Sequence, residues 1–277
     1  MRLKDKVIII TGSCTGIGKA IAERCVTEGG KVVINGLDQD RKAGEAIVEK
    51  FGSDKAVLHT EDITIEGAPR RLVEKALEAF GKLDAIVNNA AAVLSSNIQT
   101  TDLPFFRNVL EVNSLAPFAL IKEGLQHLEK TKGCVVNIGS INAYSGEPGL
   151  LAYSVSKGAL MTLTRNLGDS LHRDYGVRVN QINPGWVLTE KEIERKREQG
   201  LPDDWYEQLP DEFAPSGRIL LPKEIAAAAV YLLSDESGPF SGQILELEQH
   251  PYIGRNMPKD LETLISRSKA QSKKTKL

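Results

Sequence analysis

Cysteine and histidine are scarce in this chain, with three of the first and four of the second among 277 residues. Cys14, Cys25 and Cys134 are odd in number and lack the paired spacing of a metal–thiolate site, which fits reduced thiols in the cytosol. His59, His127, His172 and His250 are scattered along the chain, so no metal is expected. An excess of one charge is missing too. The 35 basic residues face 37 acidic ones, which gives no footing to a polyanionic partner such as nucleic acid. No apolar run approaches the ~20 residues that cross a bilayer. Residues 1–6 lack the apolar stretch of a secretory signal. The expectation is a soluble, cytoplasmic protein with neither a membrane nor a nucleic acid as partner. Its ordinary hydrophobic fraction, 41%, and its length suffice for a sizeable core.

What the chain does have is alternation. Strand-length runs at 7–10, 31–35, 56–59, 85–88, 135–138, 177–182 and 243–247 alternate with helix-length amphipathic segments at 17–29, 39–51, 66–80, 104–129, 151–174 and 222–234. The first six strands are rich in Val and Ile, as a parallel sheet covered on both faces requires. Gly29-Gly30, Gly52 and Gly81 stand where three helices should close. The pattern predicts an α/β fold of Rossmann type: a doubly wound, mostly parallel, seven-stranded sheet with helices on both faces. Residues 1–248 read as one domain, with no linker that would divide it. Two stretches break the rhythm. Residues 188–221 are charged, carry Pro202, Pro210 and Pro215, and read as a substrate lid. Residues 249–277 read as a C-terminal extension whose lysine-rich end is expected to be disordered.

Two local patterns carry chemistry. The first strand runs into Thr11-Gly12-Ser13-Cys14-Thr15-Gly16-Ile17-Gly18 and then a helix. A glycine turn placed there lets backbone approach a diphosphate at the positive end of the helix. Tyr153 and Lys157 are four positions apart, hence on one helix face, with Ser140 upstream. A nearby ammonium favours a phenolate, which would prepare Tyr153 for proton transfer.

Taken in order, residues 11–18, Asp62, Asn88-Asn89-Ala90, Asn113, Ser140, Tyr153 with Lys157, and Pro184-Gly185-Trp186-Val187-Leu188-Thr189 resemble the motif set of the short-chain dehydrogenase/reductase family of the compact type. The likeness spans about residues 3–248. One departure is Ala91, where the family usually has glycine; a negative φ there would make alanine acceptable.

The resemblance implies an oxidoreductase that interconverts a secondary alcohol and a ketone, or a lactol and a lactone, with a nicotinamide dinucleotide. Tyr153 would exchange the proton with the substrate oxygen, and Ser140 would hydrogen-bond that same oxygen. Lys157 would lower the tyrosine pKa and hold the nicotinamide ribose. Asn113 would position a water leading from the lysine to solvent. Gly12, Ser13, Gly16, Ile17 and Gly18 would carry the diphosphate. Leu37 would lie at the adenosine end, Asp62 with Ile63 at the adenine and Asn89 at the adenosine ribose. Val187 and Thr189 would meet the carboxamide and diphosphate.

At the end of the second strand, Gly36 stands where NAD-type members often carry aspartate. Leu37 and Thr15 stand where NADP-type members often carry a basic residue. Leu37 offers no charge to a 2′-phosphate and Asp38 would repel one, so NAD is expected, with NADP not excluded. Asn142, Glu147 and Trp186 are expected to line the substrate end, with Trp205, Tyr206 and Phe213 closing over it. Polar groups beside aromatics suit a sugar, polyol or hydroxy acid. A 3-oxoacyl-carrier-protein type reductase shares the same residues, and a nucleotide-sensing protein without turnover is the alternative from another class. The family also implies a homo-oligomer, tetramer or dimer.

Overall fold

Runs of β-branched residues build the sheet. The computed structural model describes residues 1–207, 209–211 and 213–249, so the expected extension lies, apart from Gln249, outside the described residues. Strands β1 (Val7–Ile10), β2 (Lys31–Gly36), β3 (Ala56–Thr60), β4 (Ala85–Asn88), β5 (Cys134–Ile138), β6 (Arg178–Pro184) and β7 (Ile244–Leu247) form one seven-stranded sheet. Their order is β3-β2-β1-β4-β5-β6-β7 and each pairing is parallel. The strand order reverses between β1 and β4, and the crevice beyond the carboxyl ends at such a reversal is where a doubly wound sheet binds its ligand.

Helices α1 (Gly16–Thr27), α2 (Arg41–Phe51), α3 (Ala68–Phe80), α4 (Leu103–Leu110), α5 (Ala116–Thr131), α6 (Asn142–Ser145), α7 (Leu151–Tyr175), α8 (Glu190–Glu198) and α9 (Pro222–Leu233) connect the strands. Successive side chains of a strand point to opposite faces. Ile8 and Ile10 accordingly pack with Ile21, Cys25, Ile225 and Val230 of α1 and α9. Val7 and Ile9 pack with Leu72, Leu120 and Leu171 of α3, α5 and α7 on the other face. Each fully buried Ile or Leu there contributes about 1.5–3 kcal/mol.

The strands lie within two residues of their expected places, and the closing glycines are where the helices end. The expected helix over 104–129 is a different case. A π turn, Glu111–Leu115, separates α4 from α5. Pro117, in the first turn of α5, has no N–H to give the carbonyl of Asn113 and would press its ring against it. The wider turn relieves that contact and puts Asn113 on the inserted segment. The charged stretch after β6 also has internal order. Thr189 caps α8 by accepting from the Glu192 N–H, Glu190 and Glu192 fill its first turn, and Arg195, Lys196 and Arg197 its last. That arrangement complements the helix dipole at both ends.

Candidate active site

The β1–α1 connection is shaped by what glycine alone permits. Gly12 has φ of 60°, and a Cβ on Gly18 would lie 2.4 Å from the Gly12 carbonyl oxygen. Thr15, at the N-cap of α1, makes no side-chain capping bond, and no acidic residue occupies the first turn. The orphan N–H groups at that helix start therefore remain available to an anion. Asn89 ties the turn to β4, its Nδ2 donating to the carbonyls of Thr11 and Gly12 at 2.9 Å each. Ala91 is not among the residues with positive φ, so alanine is unstrained there.

A cleft of about 490 Å³ runs across the β1/β4 reversal. Leu37, Asp62 and Ile63 line one end and Ser140, Tyr153 and Lys157 the other; Gly12, Gly16, Ile17, Asn89, Val187 and Thr189 line it too, Thr189 Cγ2 standing 3.5 Å from a Cβ built on Gly16. Asn142, Glu147 and Trp186 line the same end as Tyr153. Ser13 lies beneath the turn, fully buried, its Oγ donating to Ile10 and accepting from the Asn35 N–H. Gly18 likewise shapes the turn from behind. The glycine turn, the uncapped helix start and the cleft's course fit a nicotinamide dinucleotide.

Lys157 is 2% exposed and donates to the Ile138 carbonyl at 2.7 Å. Burial pulls its ammonium down to about 7. Burial also pushes the Tyr153 phenol up to about 12, against the pull of a Ser140 hydrogen bond and the Arg195 charge. The lowering of the tyrosine pKa that the sequence reading assigns to the lysine is opposed in this structure. The cause is desolvation, which disfavours both charged forms at once. The ammonium also faces a main-chain carbonyl, with its nitrogen 5.6 Å from the phenol ring centre.

Asn113 is fully buried and engaged through its side chain. Its Oδ1 accepts from the Ala92 N–H at 2.8 Å, and its Nδ2 donates to Ala92 O and Ser156 Oγ. It thereby fixes the cleft wall and α7 to the π turn. Ser140 is positioned by a buried chain of amides that the sequence reading overlooked. Asn88 donates to Asn137, Asn137 to Thr164, and Thr164 Oγ1 bonds Gln181, each at 2.8 Å. Gln181 donates to Asn183 Oδ1 at 2.7 Å, which accepts from the Ser140 N–H as well. The signal was present in Asn180, Gln181 and Asn183, three amides within the buried part of the sixth strand.

Trp205 does not line the cleft. It is 6% exposed and stacks on Trp186, ring centres 4.9 Å apart, on the side away from the cleft. Phe213 meets the edge of Trp186 and Tyr206 that of Trp205, so the segment after β6 has a core of its own with Leu201, Ala214 and Ile219. Burying the largest ring gains more than extending it over a polar cleft. Trp186 Nε1 donates to Glu192 at 2.7 Å, and Glu192 pairs with Arg195 at 2.6 Å, which sets two unforeseen charged groups in the cleft lining beside Trp186.

This sheet, turn and tyrosine–serine pair define a dinucleotide-type α/β oxidoreductase. The family model described as Enoyl-(Acyl carrier protein) reductase matches residues 12–248. An NADP-dependent (R)-specific alcohol dehydrogenase of Lentilactobacillus kefiri is 37% identical over 193 residues, 68% of this chain and 75% of that protein. An L-fucose dehydrogenase of Rattus norvegicus is 37% identical over 189 residues, 68% of each chain. Glucose 1-dehydrogenase 2 of Bacillus subtilis is 36% identical over 201 residues, 71% of this chain and 78% of its own. The chain belongs to the short-chain dehydrogenase/reductase family of oxidoreductases. Among the described residues no helix is long and apolar enough to cross a membrane, and no cluster of three or more His, Cys, Asp or Glu is arranged to hold a metal.

Proposed function

We propose that the protein interconverts a secondary alcohol and a ketone, or a lactol and a lactone, on a small hydroxylated metabolite such as a sugar, polyol or hydroxy acid, with NAD. One observation carries the reading: Tyr153, Ser140 and Lys157 converge at the end of the cleft where Asn142, Glu147, Glu192 and Arg195 also gather. Such a density of hydrogen-bonding groups beside one indole suits a substrate bearing several hydroxyls. The sugar dehydrogenases among the relatives support the same class.

The cofactor, when bound, supplies the hydride acceptor or donor. The chain supplies the rest. With the phenol pushed up to about 12, Tyr153 holds its proton at neutral pH and is set to give it to an oxygen that gains negative charge as a carbonyl is reduced. Ser140 Oγ accepts from the Asn142 N–H at 3.1 Å, which aims its own proton toward the substrate oxygen. In the oxidative direction the phenol must lose its proton, and Lys157, at about 7, is the adjacent group able to take a charge in compensation. The Asn113 carbonyl, to which Pro117 cannot donate, is where a water relaying protons from Lys157 would rest. Leu103, Leu115, Phe118 and Val155 are large, exposed apolar side chains on and beside neighbouring helices, which supports the expectation of a homodimer or tetramer.

The test is a screen of sugars, polyols and hydroxy acids with NAD and NADP, followed through reduced-cofactor absorbance, with Tyr153→Phe as control. Turnover of a hydroxylated substrate that Tyr153→Phe lowers by about 10²-fold or more is expected. Activity confined to acyl thioesters would move the assignment to the carrier-protein reductase. Undiminished turnover in Tyr153→Phe would remove the tyrosine from proton transfer.

A further inference from the structure

We propose that Asp40, from the turn after β2, is the residue that selects the dinucleotide at its adenosine ribose. The inference rests on reading the cleft as a dinucleotide site. An acidic residue that accepts from the ribose hydroxyls favours NAD, and in this class of fold it stands about 20 residues beyond the glycine turn. The end of β2 supplies none directly, because position 36 is glycine.

The structure shows why that position stays bare. A Cβ on Gly36 would lie 2.5 Å from Cys14 Sγ and 3.3 Å from Cys14 Cβ. Cys14, buried within the glycine turn, fills the place a side chain at 36 would take, and its sulfur also lies 3.0 Å from a Cβ built on Gly44. From the other side, Asp40 Cβ comes within 3.5 Å of the same point. Asp40 thus brings a carboxylate to the neighbourhood that an acidic residue at 36 would serve.

Three further observations set Asp40 apart from Asp38. Asp40 lines the cleft with Gly36 and Leu37, whereas Asp38 does not. Asp40 occupies the N-cap of α2, where an aspartate ordinarily accepts from the first turn, yet its side chain makes no capping bond. Among the described residues its carboxylate has no hydrogen bond or ion pair. Asp38 is already engaged, accepting from Arg41 Nε at 2.9 Å and from Arg41 Nη2, and Arg41 in turn reaches Thr60. The repulsion that the sequence reading placed on Asp38 therefore belongs to Asp40. Its charge would accept a ribose hydroxyl and disfavour a 2′-phosphate at the same spot.

Calorimetric titration of NAD and NADP decides the matter on four proteins: wild type, Asp40→Asn, Asp38→Asn, and the triple variant Cys14→Ala/Gly36→Asp/Asp40→Asn. Circular dichroism confirms that each is folded. Asp40→Asn is expected to lose about tenfold or more in NAD affinity, the scale of a hydrogen bond to a charged group, and to gain affinity for NADP. Asp38→Asn should bind as wild type does. The triple variant, with Cys14 trimmed to admit a carboxylate at 36, should recover NAD affinity. Asp40→Asn with wild-type affinities for both cofactors overturns the assignment, as does a loss that follows Asp38→Asn instead. A wild type that prefers NADP refutes the NAD reading itself, and a wild type that binds neither refutes the dinucleotide site.

Discussion

Replacing Trp205 by alanine should loosen the lid and leave the sheet intact. The side chain is 6% exposed, and its ring lies 4.9 Å from that of Trp186 with 20° between the planes. Among the described residues its indole nitrogen has no hydrogen-bond partner, so the contact that the substitution removes there is apolar and stacking. Truncating a buried aromatic of this size costs about 3–5 kcal/mol, of which the ring pair itself accounts for about 0.5–1.5. Trp205 belongs to a cluster with Trp186, Leu201, Tyr206, Phe213, Ala214 and Ile219 that is separate from the two layers flanking the sheet. The loss therefore falls on opening of the 188–221 segment. At a factor of ten per 1.4 kcal/mol, its amides should exchange about 10²- to 4 × 10³-fold faster. Trp186 would lose its backing, and with it the hold on Glu192 and Arg195. Hydrogen exchange read by mass spectrometry, alongside kcat/KM for several substrates, is the assay. Faster exchange limited to the lid, with kcat/KM falling unequally among substrates and NAD affinity preserved, is the expected outcome. Equal acceleration in β1 and β4 would mean that the lid is no independent unit, and unchanged lid exchange would refute the argument outright.

Two other perturbations follow from the site. Lys157 has its folded pKa lowered from 10.5 to about 7, so its buried charge destabilises the fold fully below pH 7, and this penalty fades as pH rises toward 10.5. Denaturant titrations should show Lys157→Met gaining stability relative to wild type more at pH 6 than at pH 9; a pH-independent difference would contradict the burial argument. Gly18→Ala places a Cβ 2.4 Å from the Gly12 carbonyl, 2.5 Å from Asn89 Nδ2 and 2.8 Å from Ser13 Cα. Cofactor affinity should fall by about tenfold or more as the turn shifts, and a calorimetric Kd equal to that of wild type would show that the turn does not need its present shape.

The sequence made the sheet legible because β-branched runs and closing glycines are local signals. The glycine turn and the Tyr153/Lys157 spacing were equally local. What escaped notice depends on elements distant in the chain. The break before Asn113 comes from Pro117 acting one turn back, a proline inside a segment that amphipathic spacing marks as one helix. The place of Trp205 depended on Trp186, across the whole of α8. Asp40 became visible only once Cys14 and Gly36, 22 residues apart, were seen to compete for one space. The desolvation that raises the Tyr153 pKa comes from packing around it, to which spacing is blind.

The chain of amides from Asn88 to Asn183 has a consequence for how the polypeptide reaches its fold. Parallel strands of Val and Ile are nearly interchangeable, and hydrophobic contact alone would tolerate wrong alignments among them. Native pairing sets Asn137 opposite Asn88 on one side and Gln181 on the other. A slip of one residue in β5 sends Asn137 to the opposite face and strands its neighbours' amides in apolar surroundings. Each buried polar group left without a partner costs about 1–3 kcal/mol, so a single misaligned strand forfeits several such bonds at once. The hydrogen bonds behind Ser140 thus serve as an error check on assembly: only a sheet zipped in the correct alignment can close them.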